Sequence, residues 1–152
     1  MPTTINDVDG LLEIAGLRLE PSDWFDITQE RINQFAGATD DHQWIHVDVD
    51  RAQLESPFGG PVAHGYLTLS LFSAMFMQVL SVPGASMTVN YGLNKVRFPA
   101  PVPVGSKVRL SATVSSVEQI AGGVQITLAA VIESAAADRP VCVAEPVFRY
   151  YR

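Results

Sequence analysis

Cysteine is nearly missing from this chain: a single thiol, Cys142, stands among 152 residues. One cysteine excludes an internal disulfide and a cysteine-based zinc site. Basic residues are scarce too. Ten Lys and Arg against sixteen Asp and Glu leave a net charge of −6, which argues against general nucleic-acid binding, since that needs a basic face. No cationic leader followed by an apolar run opens the sequence, so the expected compartment is the reducing cytoplasm. What remains, 47% hydrophobic and 17% charged, is a globular composition at the size of one domain, taken as residues 1–152. No internal repeat, low-complexity tract or linker divides it.

Charge is distributed unevenly. Residues 1–60 hold twelve acids and three Arg, whereas 61–152 hold four acids and seven Lys or Arg. Four of those seven are Lys95, Arg97, Lys107 and Arg109. Spaced two apart on strands, each pair projects to one face. Such a set is either a solvated sheet face or an anchor for an anionic ligand. From Ser56 to Asn94 there is no charged side chain at all. Inside that stretch Gly65–Leu80 is apolar nearly all round. As a helix it would span about 24 Å, short of the roughly 30 Å of a bilayer core. Pro61 and Pro83 close off both sides. The expectation is a buried helix, not a membrane span.

Ile5, Val8, Leu12 and Ala15 recur at helical spacing and predict a short helix over 4–16. Thr28 is placed to cap a helix over 29–36, with Ile32, Phe35 and Ala36 turned inward. Residues 37–50 read as a polar loop carrying two of the three histidines. The second half changes period. Residues 87–98, 104–117, 124–133 and 141–151 alternate and are rich in Val, Ile, Thr and aromatics, with Asp23–Thr28 a further short strand. Gly122–Gly123 marks a hairpin turn and Ala135–Pro140 the next connection. The predicted class is α+β: about five mostly antiparallel strands around one buried helix.

The densest polar cluster is Asp40-Asp41-His42-Gln43-Trp44-Ile45-His46-Val47-Asp48, followed by Ala63-His64-Gly65 at the mouth of the apolar helix. A carboxylate and an imidazole on one loop can share a water. A helix start supplies free N–H groups for a developing oxyanion. The alternative is structural: an Asp capping a turn and a His packing on Trp44. His42 and His46 are four apart, as in two-histidine zinc helices. Gln43 stands where such a helix has its Glu, and no third ligand is evident. No metal is expected.

The segment Phe35–Asp48 resembles the hydratase-2 motif of MaoC-like dehydratases, the (R)-specific enoyl-CoA hydratases of hot-dog fold. Their pattern is approximately Gly-Asp-x-Asn-Pro-Leu/Ile-His-x-Asp, and Asp41 and His46 keep its spacing. Pro61-Val62-Ala63-His64-Gly65 resembles the family's Pro-x-x-His-Gly, and Arg97-Phe98-Pro99-Ala100-Pro101-Val102 its Arg-Phe-x-x-Pro-Val. Asp40 replaces the pattern's Gly, and Gln43-Trp44 replaces Asn-Pro, as in the nodulation-protein-N-like subgroup. Asp40 either alters the loop or sets a second carboxylate beside the site, and Trp44 bears on acyl-chain preference.

The resemblance implies a hot-dog fold and reversible hydration of trans-2-enoyl-CoA to (R)-3-hydroxyacyl-CoA. Asp41 and His46 are then the catalytic pair, and the N–H of Gly65 the oxyanion donor. Ser73 falls where related hydratases carry a supporting serine, and Asn90 and Tyr91 resemble a substrate-lining stretch. Lys95, Arg97, Lys107 and Arg109 become candidates for the coenzyme A phosphates. No cofactor is needed, since acid, base and oxyanion donor suffice. The resemblance also implies a homodimer. The rivals are a hot-dog thioesterase and a non-catalytic acyl-thioester-binding subunit.

Overall fold

The computed structural model describes residues 1–152. In chain order the elements are β1 (Thr3–Thr4), β2 (Phe25–Asp26), α1 (Gln29–Thr39), α2 (Trp44–Val47), α3 (Val49–Glu55), α4 (Gly65–Ser70) and α5 (Phe72–Val79). β3 (Leu80–Ser81), β4 (Met87–Arg97), β5 (Lys107–Ile120), β6 (Gly123–Ser134) and β7 (Cys142–Tyr151) complete the chain. An antiparallel sheet of five strands, in the order β2-β5-β6-β7-β4, wraps the α4–α5 helices. β1 and β3 form a separate parallel pair.

Period-2 patterning decides which face turns in. Val108, Leu110, Ala112 and Val114 of β5 are buried, as are Val124, Ile126, Leu128, Ala130 and Ile132 of β6. Against them lies the helix, whose Phe72 and Phe76 rings meet Phe148 of β7 at 5.7 and 5.1 Å. The segment ahead of β2 runs beside β5, with Leu19 and Ser22 N–H groups donating to Ala112 and Leu110 carbonyls. That edge of the sheet is therefore covered. β4 is the open edge, and it is exposed along most of its length. No helix is long and apolar enough to cross a membrane.

Four expectations need correction. Residues 4–16 form no helix beyond a single 3-10 turn at Asp9–Glu13. Asp7 captures the Gly10 N–H at 2.8 Å, a local turn that competes with helix, and Gly16 then takes φ +84°. Leu11 and Ile14 are the buried pair, while Leu12 packs against the core only partly buried and Ala15 is exposed.

The Gly65–Leu80 helix is two helices joined at Leu71. Ser70 Oγ donates to the Tyr66 carbonyl at 2.6 Å, the back-bonding that bends helices. Nor is the helix buried all round: Tyr66, Ser70, Ser73 and Met77 form an exposed stripe.

Residues 37–50 are mostly helical, and irregular backbone is limited to Asp40–Gln43 and the single junction residue Asp48. Lastly, the hairpin turn is Ala121–Gly122. Gly123 already lies in β6, where a Cβ would collide with the Tyr150 carbonyl.

Candidate active site

The site is assembled from the ends of short elements. Thr28 caps α1, its Oγ1 accepting from the Arg31 N–H at 3.1 Å. α1 ends at Asp40, which has φ +60° and is the sole non-glycine residue of the chain with positive φ. Glycine is usual at that position, and Asp tolerates it. The turn delivers Asp41 to the surface and starts α2 three residues later. Val62 then fixes α2: its N–H donates to Ile45 at 3.0 Å, and its carbonyl oxygen lies 2.6 Å from His46 Nδ1.

That contact sets the chemistry of His46. A carbonyl only accepts, so Nδ1 carries the hydrogen and Nε2 keeps its lone pair. Burial holds the imidazole below its ordinary pKa; the Val62 bond opposes this, His64 adds to it, and Asp41 opposes it. His46 is thus a neutral base at neutral pH.

Asp41, His46 and His64 converge, each offering an atom within 4.8 Å of the others. His64 Nε2 lies 2.9 Å from the Asp41 carbonyl oxygen. The rings of His46 and His64 stack at 3.9 Å with planes 23° apart. Ring lone pairs lie in the ring planes, so stacked imidazoles do not aim two of them at one ion about 2.0–2.1 Å away. The cluster is built for hydrogen bonding.

A cavity of about 320 Å³ opens beside His46, walled by Ile45, Val62, Ala63 and Val102. Gly65 and Thr68 line its floor and Phe58 and Phe98 its rim. As first residue of α4, Gly65 has no intrahelical acceptor for its N–H. The Phe98 ring lies over it, and a Cβ there would sit 3.2 Å from ring atoms.

The match to the MaoC like domain covers residues 13–135. The chain belongs to the MaoC-like family. It is 49% identical over 148 residues to 3-hydroxyacyl-thioester dehydratase Z of Mycobacterium tuberculosis, covering 97% of each chain. It is 53% identical over 95 residues to Nodulation protein N of Rhizobium leguminosarum, covering 62% of this chain and 59% of that one. The (R)-hydratase PhaJ1 of Pseudomonas aeruginosa superposes with a TM-score of 0.73 at 24% identity, over 91% and 82% of the two chains. The fold is the hot-dog fold.

With the MaoC-like frame in place, the remaining predicted residues divide. Asp41, His46 and Gly65 come together; Ser73 and Asn90 do not join them. Those two line a separate groove with Leu93, Pro146 and Phe148. Tyr91 is exposed, 3.5 Å from the Arg149 guanidinium.

The four bases form no single patch. Lys95 and Arg97 lie on β4, whereas Lys107 and Arg109 lie on β5, with β6 and β7 between. Lys107 pairs with Asp26 at 3.5 Å. Arg109 pairs with Glu133 at 2.6 Å and covers Trp24. Trp44 packs beneath Arg51 at 4.2 Å and does not line the cavity.

His64 and Thr68 are the residues that sequence reasoning undervalued. Their places, His64 directly before Gly65 and Thr68 one turn after it, were the available signal. Phe58 gave none.

Proposed function

We propose that this MaoC-like protein hydrates trans-2-enoyl-CoA thioesters to (R)-3-hydroxyacyl-CoA, and runs the dehydration in reverse. The observation that carries this reading is the free Nε2 of a neutral His46, whose ring has a nitrogen within 4.8 Å of an Asp41 carboxylate oxygen, at the wall of a cavity that Gly65 also lines. Similarity to a protein named 3-hydroxyacyl-thioester dehydratase Z supports it.

A β-carbon conjugated to a thioester is electrophilic, and water alone attacks it poorly. His46 Nε2 takes a proton as the water oxygen bonds to that carbon. Asp41 holds the same water and takes part in delivering the proton to the α-carbon. The Gly65 N–H receives the thioester oxygen as enolate character develops. The handedness follows from the family resemblance, and no cofactor enters any step.

The protein works as a homodimer in this reading. β4 is an open edge eleven residues long, with Met87, Tyr91 and Leu93 exposed beside the Tyr66–Met77 stripe. An unpaired apolar edge of that length is a template for a second copy. The groove at Ser73 and Asn90 then becomes part of the acyl channel at the interface, and Lys95 and Arg97 lie nearest the Phe98 rim for the coenzyme A phosphates.

Incubation with crotonyl-CoA tests the reaction. Loss of enoyl absorbance without thiol release, resistant to chelators, is expected. Thiol release makes the protein a thioesterase, and tight binding without turnover makes it a carrier subunit.

A further inference from the structure

His64 touches both members of the catalytic pair from a third chain segment. It is the residue before α4, and it is 3% exposed. Its Nε2–H donates to the Asp41 carbonyl at 2.9 Å, and its ring stacks on His46 at 3.9 Å. On the side of α1, Phe35 meets the same ring at 4.9 Å. We propose that His64 is a positioning residue, which holds the Asp41 loop and the His46 ring in register. The proposal rests on Asp41 and His46 being the reacting pair.

Three observations support the assignment. Asp40–Gln43 is irregular backbone, and the Asp41 side chain has only a long contact within that loop, 3.4 Å to the Gln43 N–H. The His64 bond is therefore the tie that joins this loop to the helix. Secondly, donation from Nε2 leaves His64 Nδ1 as a bare acceptor, and that atom is buried without a partner. An unpaired buried acceptor is destabilising, so packing alone would be better served by Phe or Leu. Thirdly, His64 acts on His46 electrostatically, lowering its affinity for a proton in the same direction as burial.

The titratable groups facing His46 are Asp41 and His64. Gln29 of α1, which donates to the His46 carbonyl at 2.8 Å, and Val62 present uncharged groups. Those facing His64 are Asp41 and His46, with Phe35 apolar.

The test is an NMR titration of the imidazoles in the full-length protein, run beside the pH profile of kcat/KM. His64→Gln retains a donor and removes the ring; His64→Phe retains a ring and removes the donor. In both variants the His46 midpoint should move from its wild-type position, upward where the loss of His64 dominates and downward where Asp41 is displaced, and the acidic limb of kcat/KM should move with it. His64→Phe should lose roughly 10- to 100-fold in kcat through misplacement of Asp41, and His64→Gln less. An unmoved His46 midpoint in both variants overturns the proposal, whatever happens to kcat, because packing loss alone leaves it in place. If neither variant folds, the wild type decides. A slowly exchanging His64 Nε2–H, held by the Asp41 carbonyl, supports the proposal; a freely exchanging one overturns it. If the wild type hydrates no enoyl thioester, the reaction assignment fails separately, and the His46 titration still decides the part of His64.

Discussion

The two ends of the α4–α5 helix pair present opposite environments to a ligand. At the Gly65 end the polar groups are buried and pre-arranged: His46 and His64 are 7% and 3% exposed, and Thr68 Oγ1 is buried without a partner. At the other end a second groove of about 490 Å³, next to the one that Leu93 and Pro146 line, runs past Ser73, Met77, Thr88 and Asn90, all of them exposed. A chemical site must exclude water before its fixed dipoles act strongly. The first end buries both imidazoles within one chain and leaves Asp41 at the cavity's exposed side. The second end is open, and closing it needs another surface. In the proposed reading, the difference separates the reacting groups, carried by each chain, from an acyl-binding surface completed by a second copy.

The largest effects should therefore arise at the Gly65 end. Asp41→Asn and His46→Gln should each reduce hydration by about 10²–10⁴-fold without unfolding. The double variant should be little worse, because both groups act on one water. Asp40→Asn should be mild, since the turn needs its left-handed backbone and Asn also tolerates φ +60°. Gly65→Pro removes the N–H and adds a ring whose Cβ would meet Phe98 at 3.2 Å. His64 at φ −58° and ψ 139° already has the extended backbone that precedes proline, and proline suits a first helical position. Its kcat should fall by roughly 10²–10³, with the Phe98 ring yielding slightly. Near wild-type turnover in Asp41→Asn or His46→Gln removes the pair from the mechanism; a normal kcat in folded Gly65→Pro moves the oxyanion donor elsewhere.

At the open end the expected effects are smaller and act through assembly. Met77→Glu puts a charge in the exposed stripe, and sedimentation should show a monomer of 16.5 kDa in place of a dimer. Its KM should rise while the His46 titration stays as in wild type. A fully active monomer would show that the groove needs no second copy and would erase the contrast between the two ends.

The sequence was most legible where one force decided the outcome. Alternating apolar residues placed β4–β7 close to their observed bounds, because only one register buries Leu110, Ile126 and Leu128 together. Chemistry and spacing marked the polar cluster, the resemblance to the MaoC-like motif singled out Asp41, His46 and Gly65 within it, and the fold brings those three segments to one place. The 4–16 segment was misread because helical spacing of apolar residues does not count the Asp7 turn or two glycines. The α4–α5 break was hidden because a back-bonding serine looks like any other in an apolar run. His64 was undervalued because its role depends on a carbonyl 23 residues away, which no local pattern encodes. The grouping of the four bases failed for a topological reason: alternation fixes a side chain's face, while strand order decides how far apart two strands lie.

That last failure yields the smallest prediction. Lys95 and Arg97 end the strand that leads into Phe98 at the cavity rim, and neither forms a salt bridge to a carboxylate. Lys107 and Arg109 are each already engaged, by Asp26 and Glu133, three strands away. A coenzyme A phosphate meeting the first pair gains a free cation; meeting the second, it must compete with a carboxylate. Replacing Lys95 and Arg97 by Gln should raise KM about 3- to 10-fold, the range of one or two exposed charge contacts. The same change should flatten the salt dependence of KM, because screening acts on that attraction, and should leave kcat in place. Lys107→Gln with Arg109→Gln should leave KM near wild type and lower thermal stability slightly. If the second double variant raises KM and the first does not, the phosphates lie across the β5 side of the sheet, and the ligand enters from the opposite direction.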